Sequence, residues 1–244
     1  MKLSVRGAVA AIFILAMCAI CMRLGFWQLD RLEQRRARNA AIRTATAQPP
    51  LALDSAAPAA LASDPARFTW RRAEAAGRYH HAGDMVVRGR SREGRPGVHL
   101  YSPLVLADGR VVMVNRGWVP SPDGTTADVR PLRTAGPVRV RGVLLPIHTN
   151  ADGGLPIGGR SGADTTWRRV DAEAAAARSP GPLIRLYLQQ LPGVGVEVES
   201  PPIPEPLPEL SQGSHLSYAV QWFSFAVIGL VGLAALVLRG RKTA

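Results

Sequence analysis

Lysine is nearly missing from this chain of 244 residues: of its 30 basic side chains only Lys2 and Lys242 are not Arg. Acids are missing from both ends, because none precedes Asp30 and none follows Glu209. Cysteine occurs only as Cys18 and Cys21, inside an apolar run, so there is no disulfide framework and no second pair to complete a metal site. A thiolate is costly in hydrocarbon, and this C-x-x-C reads as small apolar side chains embedded in lipid. The basic residues are not interleaved with aromatics on a soluble face, and the densest cluster, Arg31–Arg38, abuts an apolar run. That arrangement argues against nucleic acid and for headgroups or acidic cofactor groups as partners. Catalytic signatures are also missing. There is no H-E-x-x-H, G-x-S-x-G or C-x-x-C-H, and Gly153-Gly154 and Gly158-Gly159 lack the context of a phosphate loop. His80-His81 beside Asp84 has no third ligand nearby and reads as a turn with exposed histidines, while His99 and His148 read as ordinary strand or loop residues. With no nucleophile–base pair, the chain is not expected to be an enzyme.

What is present is a pair of apolar stretches near the two ends, Ala8–Met22 and Trp222–Leu238. A membrane span needs about 20 apolar residues, and both stretches reach that length with their flanks, giving expected spans over 7–29 and 217–238. The first passes Arg23, whose long stem can snorkel to the headgroups. Lys2 and Arg6 ahead of an apolar run also fit a signal peptide, but no A-x-A cleavage site follows, and a retained anchor is expected. Counting cations near the spans gives five on the terminal side and five on the other, a tie under the positive-inside rule. The absence of Lys and Arg between Leu186 and Leu238 favours a cytoplasmic C-terminus. Both termini are therefore expected in the cytoplasm, with the central domain outside.

Between the spans, 30–68 reads as a helical extension and linker, with Gln28–Ile42 continuing the first helix until Pro49-Pro50. A β-rich domain is expected over 69–200. Its strands fall at Trp70–Tyr79, Met85–Arg90, Leu100–Leu106, Val111–Trp118, Val138–Leu144 and Leu183–Gln189, with a hairpin turn at Asp108-Gly109. Gly153–Gly162 reads as a glycine-rich loop. Asp171 is placed to cap a helix over Ala172–Arg178. Residues 201–216 form a Pro-rich lead-in, in which Pro201–Pro208 should be too proline-dense to pair into a sheet. The expected fold class is a membrane α+β protein: two terminal transmembrane helices bracketing a mainly antiparallel β domain.

His215 opens the second span. On a helix Tyr218 and Trp222 share its face, and Gly229 continues that face where a missing side chain lets a flat partner approach. A neutral imidazole beside aromatic rings can serve as a haem axial ligand; a polar cap plus an interfacial aromatic belt explains the same residues. Arg23, Trp27 and Arg31 repeat at i, i+4 and i+8, placing two cations around an indole. These arginines suit haem propionates or act as snorkelling anchors.

Four stretches together resemble the Surfeit locus protein 1 family of cytochrome c oxidase assembly factors: Leu24-Gly-Phe-Trp-Gln-Leu-Asp-Arg31, Pro103-Leu-Val-Leu-Ala-Asp-Gly109, Val114-Asn-Arg-Gly-Trp-Val-Pro120 and His215-Leu-Ser-Tyr-Ala-Val-Gln-Trp222. The resemblance implies two helices in the inner (cell) membrane and a periplasmic or intermembrane-space domain. It also implies a non-catalytic part in oxidase maturation: holding haem a, with His215 as the iron ligand, for insertion into subunit I, with haem a synthase a further partner. A scaffold that stabilises oxidase intermediates without cofactor is the alternative. Ser214 stands where many relatives have Asn, and 45–66 has no clear counterpart. Asn115–Trp118 matches a family signature; Gly117 is expected at a tight turn after a strand, and Trp118 in the core.

Overall fold

In a computed structural model, residues 5–54, 57–150, 154–156, 165–193 and 200–242 are described. Their elements, in chain order, are α1 (Val5–Ala47), β1 (Leu51–Ala52), α2 (Ala60–Ser63), β2 (Arg72–Tyr79), β3 (Met85–Arg92), β4 (Arg95–Leu106), β5 (Val111–Pro120), β6 (Pro137–Pro146), β7 (Leu155–Pro156), β8 (Thr165–Trp167), α3 (Ala172–Ala177), β9 (Leu183–Gln190) and α4 (His215–Lys242). Most of the glycine-rich stretch expected over 153–162 lies outside the described residues. The chain divides into two compact units: 1–41 with 209–244, and 42–208.

The second unit is a closed β-barrel. Strand order β2-β6-β9-β5-β4 returns to β2, because Gly77, Arg78 and Tyr79 pair with Leu106, Val105 and Leu104. Closure leaves no open edge among these five strands, which satisfies the backbone polar groups. Six of the strand pairings are antiparallel and three parallel. The mainly antiparallel domain expected from the sequence is therefore observed. Alternation along the strands fills the interior with Ala75, Leu104, Val112, Val114, Leu144 and Leu188, joined by Leu53, Leu61 and Phe68 from the segment before β2. A second cluster around Met85, Tyr101, Met113 and Trp167 lies beneath α3. The turn expected at Asp108-Gly109 joins β4 to β5, with Gly109 at φ +83°. Asp171 caps α3 as expected, accepting from Ala174 N at 2.8 Å.

Three expectations need correcting. Gly117 is not in a turn after a strand: it sits within β5 at a bulge, with φ +127°, and a Cβ there would meet the Ile203 carbonyl. The Pro-rich segment does pair. Ile203 exchanges two hydrogen bonds of 2.8 Å with Trp118, because the bulge turns the β5 backbone outward and Ile203 itself keeps its N–H between two prolines. His81 is not simply exposed. Asp84 holds its Nδ1 at 3.1 Å, and Thr134 N donates to its Nε2 at 3.0 Å.

The bulge also explains the Asn115–Trp118 signature. Asn115 Oδ1 accepts from Gly117 N (3.1 Å), stabilising the irregular backbone. Trp118 is core, 2 % exposed, lying against Gly97, where a Cβ would strike its ring. Arg116 is also buried: it stacks over Tyr79 at 4.8 Å and donates to Leu132 O (2.7 Å) and Thr134 Oγ1 (3.1 Å), tying β2 to the loop after β5. Burial pushes Arg116 below its ordinary pKa and raises Tyr79 to about 12.

His99 Nε2 meets Glu205 Oε1 at 3.0 Å, a second clasp between barrel and Pro-rich segment. The His99 hydrogen bond holds the Glu205 carboxyl below its ordinary value. A carboxyl with a depressed folded pKa stabilises the fold above its unfolded value and loses that contribution as pH falls through the folded value.

Two measurements follow. Gly117→Ala should cost about 1–3 kcal/mol in thermal unfolding of the detergent-solubilised chain, whereas Gly109→Asn, at a left-handed position in open space, should cost under about 1 kcal/mol. Urea unfolding midpoints should fall between about pH 5 and pH 2.5 for the native sequence, and fall less for Glu205→Gln; equal falls would remove Glu205 from the acid response.

Candidate functional site

The first unit is a hairpin of two antiparallel helices, both long and apolar enough to cross a membrane. Buried or half-buried positions on α1 recur at Ala11, Ile14, Cys18, Cys21, Gly25, Gln28 and Leu32, alternating steps of three and four. On α4 the matching stripe is His215, Ala219, Trp222, Ala226, Gly229 and Leu233. This alternation is the pattern of ridges-into-grooves packing near +20°. Small residues let the backbones approach: a Cβ on Gly25 would meet the Phe223 ring at 2.5 Å, and one on Gly229 would meet Cys18 Sγ at 2.6 Å. Cys18 and Cys21 therefore face α4 rather than lipid, and Cys18 Sγ lies 3.4 Å from Ala226 O. The space beside Gly229 is filled by Cys18, not left for a flat ligand.

At the domain-side end of the hairpin the contact turns polar. His215 Nδ1 lies 2.8 Å from Gln28 Oε1. An amide oxygen accepts, so Nδ1 carries a proton, and in the neutral imidazole Nε2 keeps its lone pair. No group among the described residues bonds Nε2. Gly213, at φ +69°, borders that edge of the ring: a Cβ there would sit 3.7 Å from Nε2. Farther along, buried Asn39 donates to Leu210 O (3.1 Å) and Ser211 O (3.0 Å), and Arg36 Nε donates to Gln212 Oε1 (3.1 Å). These bonds fix the chain just before α4. Ser214 holds the N-cap position through its carbonyl, which accepts from Tyr218 N at 3.1 Å.

The sequence-expected site residues are thus distributed. His215 and Trp222 lie on the α1-facing stripe, Trp222 packing against the Cys18–Cys21–Ala226 cluster. Tyr218 is 49 % exposed and Trp27 51 % exposed, on outward faces. Trp27, Arg23 and Asp30 line an open hollow of about 790 Å³ on α1. Arg31 is exposed and donates to Gln34 Oε1 (3.0 Å). Among the described residues no group of three or more His, Cys, Asp and Glu could hold a metal ion. Gln28 was not anticipated, although the three-and-four spacing of small residues on α1 places it on the His215 side.

Two long apolar helices that bracket a closed β-barrel in the chain order, with an imidazole opening the second helix, define the class. The chain belongs to the SURF1 family, whose profile matches residues 15–227. It is 27 % identical over 227 residues to a SURF1-like protein of Mycobacterium tuberculosis, covering 91 % of this chain and 80 % of the relative. A SURF1-like protein of Monosiga brevicollis is 27 % identical over 230 residues, 89 % of this chain and 83 % of that one. The cytochrome oxidase assembly protein SHY1 of Saccharomyces cerevisiae is 30 % identical over 105 residues, 43 % of this chain and 26 % of SHY1.

Glycine at the helix contact gives a direct test. Gly229→Leu should destabilise the detergent-solubilised hairpin by about 1–3 kcal/mol through overpacking, while Gly232→Leu, with nothing within 4 Å, should leave the melting profile unchanged.

Proposed function

We propose that this chain is a membrane-anchored assembly factor for cytochrome c oxidase that holds haem a through His215 and releases it to subunit I. The observation that carries the reading is the imidazole of His215, whose Nδ1 is held by Gln28 and whose Nε2 has no hydrogen-bond partner among the described residues. A histidine that ligates iron commonly has its other ring nitrogen fixed by such a partner, which sets tautomer and ring direction. The donor set fits one axial ligand. Haem a supplies no reaction here; it is cargo. Exposed Tyr218 and Trp27 provide apolar surface, and Arg31 a propionate partner, for a macrocycle lying on the outside of the hairpin. Membership of the SURF1 family and similarity to SHY1, an assembly protein by name, support the oxidase as destination.

On this reading α1 and α4 cross the inner membrane with both termini in the cytoplasm, and the barrel lies in the periplasm, where haem a synthase is the donor partner. A cofactor-free scaffold is favoured by one observation: among the described residues, the hollow beside Trp27 includes neither Arg31 nor His215. Absorption spectra of the chain purified from cells making haem a separate the two. The native chain should carry a Soret band, His215→Ala should lose it, and Gln28→Leu should weaken haem affinity roughly 10- to 100-fold. A haem-free native chain that still captures the oxidase would select the scaffold.

A further inference from the structure

The register of the hairpin locates the membrane edge on α1. Gln28 is level with His215, the first residue of α4, and apolar sequence in α4 begins immediately after it. α1 does not stop there but continues unbroken to Ala47. On this extension Arg31, Arg35 and Arg38 repeat at i, i+4 and i+7, the spacing that places residues on one helical face. Trp27, one turn earlier, starts the same stripe. All four side chains are exposed. Of the two acids of the extension, Glu33 falls on the opposite half of the helical wheel and Asp30 flanks the stripe beside Trp27, and among the described residues no ion pair joins either to these arginines. Like charges at i, i+4 oppose helix formation, so the stripe costs stability unless an anion covers it.

Reach decides which anion. At 1.5 Å per residue Arg31 stands ~4.5 Å beyond Gln28, Arg35 ~10 Å and Arg38 ~15 Å. Headgroups add only about 5–7 Å to each side of the hydrocarbon core, which accommodates Arg31 and leaves Arg35 and Arg38 above them when the helix stands upright. A lipid surface therefore covers Arg31, meets Arg35 only where its stem bends down along the helix, and misses Arg38. We infer that Arg35 and Arg38, which continue this stripe above the Trp27 and Arg31 of the proposed haem surface, form a docking surface for an acidic segment that rises from the membrane on a partner membrane protein. Carboxylates spaced along a helix or strand match the two guanidinium groups by bidentate pairing. The inference rests on the assembly reading, and places that partner on an oxidase subunit.

The test is capture of oxidase subunits by the full-length chain from detergent-solubilised membranes, over a salt series. Arg35→Glu with Arg38→Glu should reduce captured subunit at least about tenfold, since charge reversal adds repulsion to the lost pairs. Arg35→Lys with Arg38→Lys should retain most of it. Arg43→Glu, a reversal off the stripe, should leave it unchanged. Native binding should weaken as salt rises. Equal capture by the Glu double variant and the native chain overturns the docking surface while leaving the assembly reading standing. Failure of the native chain to capture any oxidase subunit overturns both. The comparison is repeated with the captured complex in nanodiscs of phosphatidylcholine alone. If the Glu variant's deficit persists there, the partner is protein; if it vanishes, headgroups account for the arginines and the inference falls.

Discussion

The β domain depends on closing the barrel through a short stretch of backbone. β2 is paired along seven residues with β6, yet only Gly77, Arg78 and Tyr79 reach β4. Gly77 makes this possible, because a Cβ there would run into the Val105 carbonyl. Gly142 plays the same part where β6 meets β9, against the Gln189 carbonyl. Where strands bend this sharply to complete a small barrel, a side chain is a collision. With the ring closed, the apolar faces of five strands share one interior, and segments outside it are recruited by what they can fasten to its rim.

The Asn115–Trp118 bulge is the main fastening point. An extra residue in β5 throws Arg116 to one side, where it stacks on Tyr79 and reaches the loop carrying Leu132 and Thr134. It also frees the backbone of Trp118 to pair with Ile203, and His99 adds an ionisable clasp on Glu205. Four consecutive residues thus carry bulge, buried cation and core indole. The hairpin obeys a different rule: between apolar helices there is little hydrophobic gain, so close approach over Gly25 and Gly229 carries the contact, with polar bonds from Gln28, Arg36 and Asn39 at one end. That polar bond, Gln28 to His215, also decides which imidazole nitrogen is available.

Much of this was legible in the sequence. The apolar runs, the Asp108-Gly109 turn and the alternating strands depend on local pattern, and local pattern is written residue by residue. His215 at the head of α4 was legible for the same reason. Gln28 was not singled out, nor was the inward orientation of Cys18 and Cys21, since both depend on which face of α1 meets α4. The pairing of Ile203 was hidden by its prolines: composition argues against a strand, but a single residue between prolines still offers one N–H and one C=O, and only a bulged partner can use them.

By itself, then, the sequence determined two long apolar helices and a mainly antiparallel domain between them, because hydrophobic length and period act over neighbouring positions. The tertiary structure alone decided barrel closure, the role of Gly117 and the partner of His215. Each of these joins residues far apart in the chain, where the outcome is set by whether two backbones can approach within hydrogen-bonding distance.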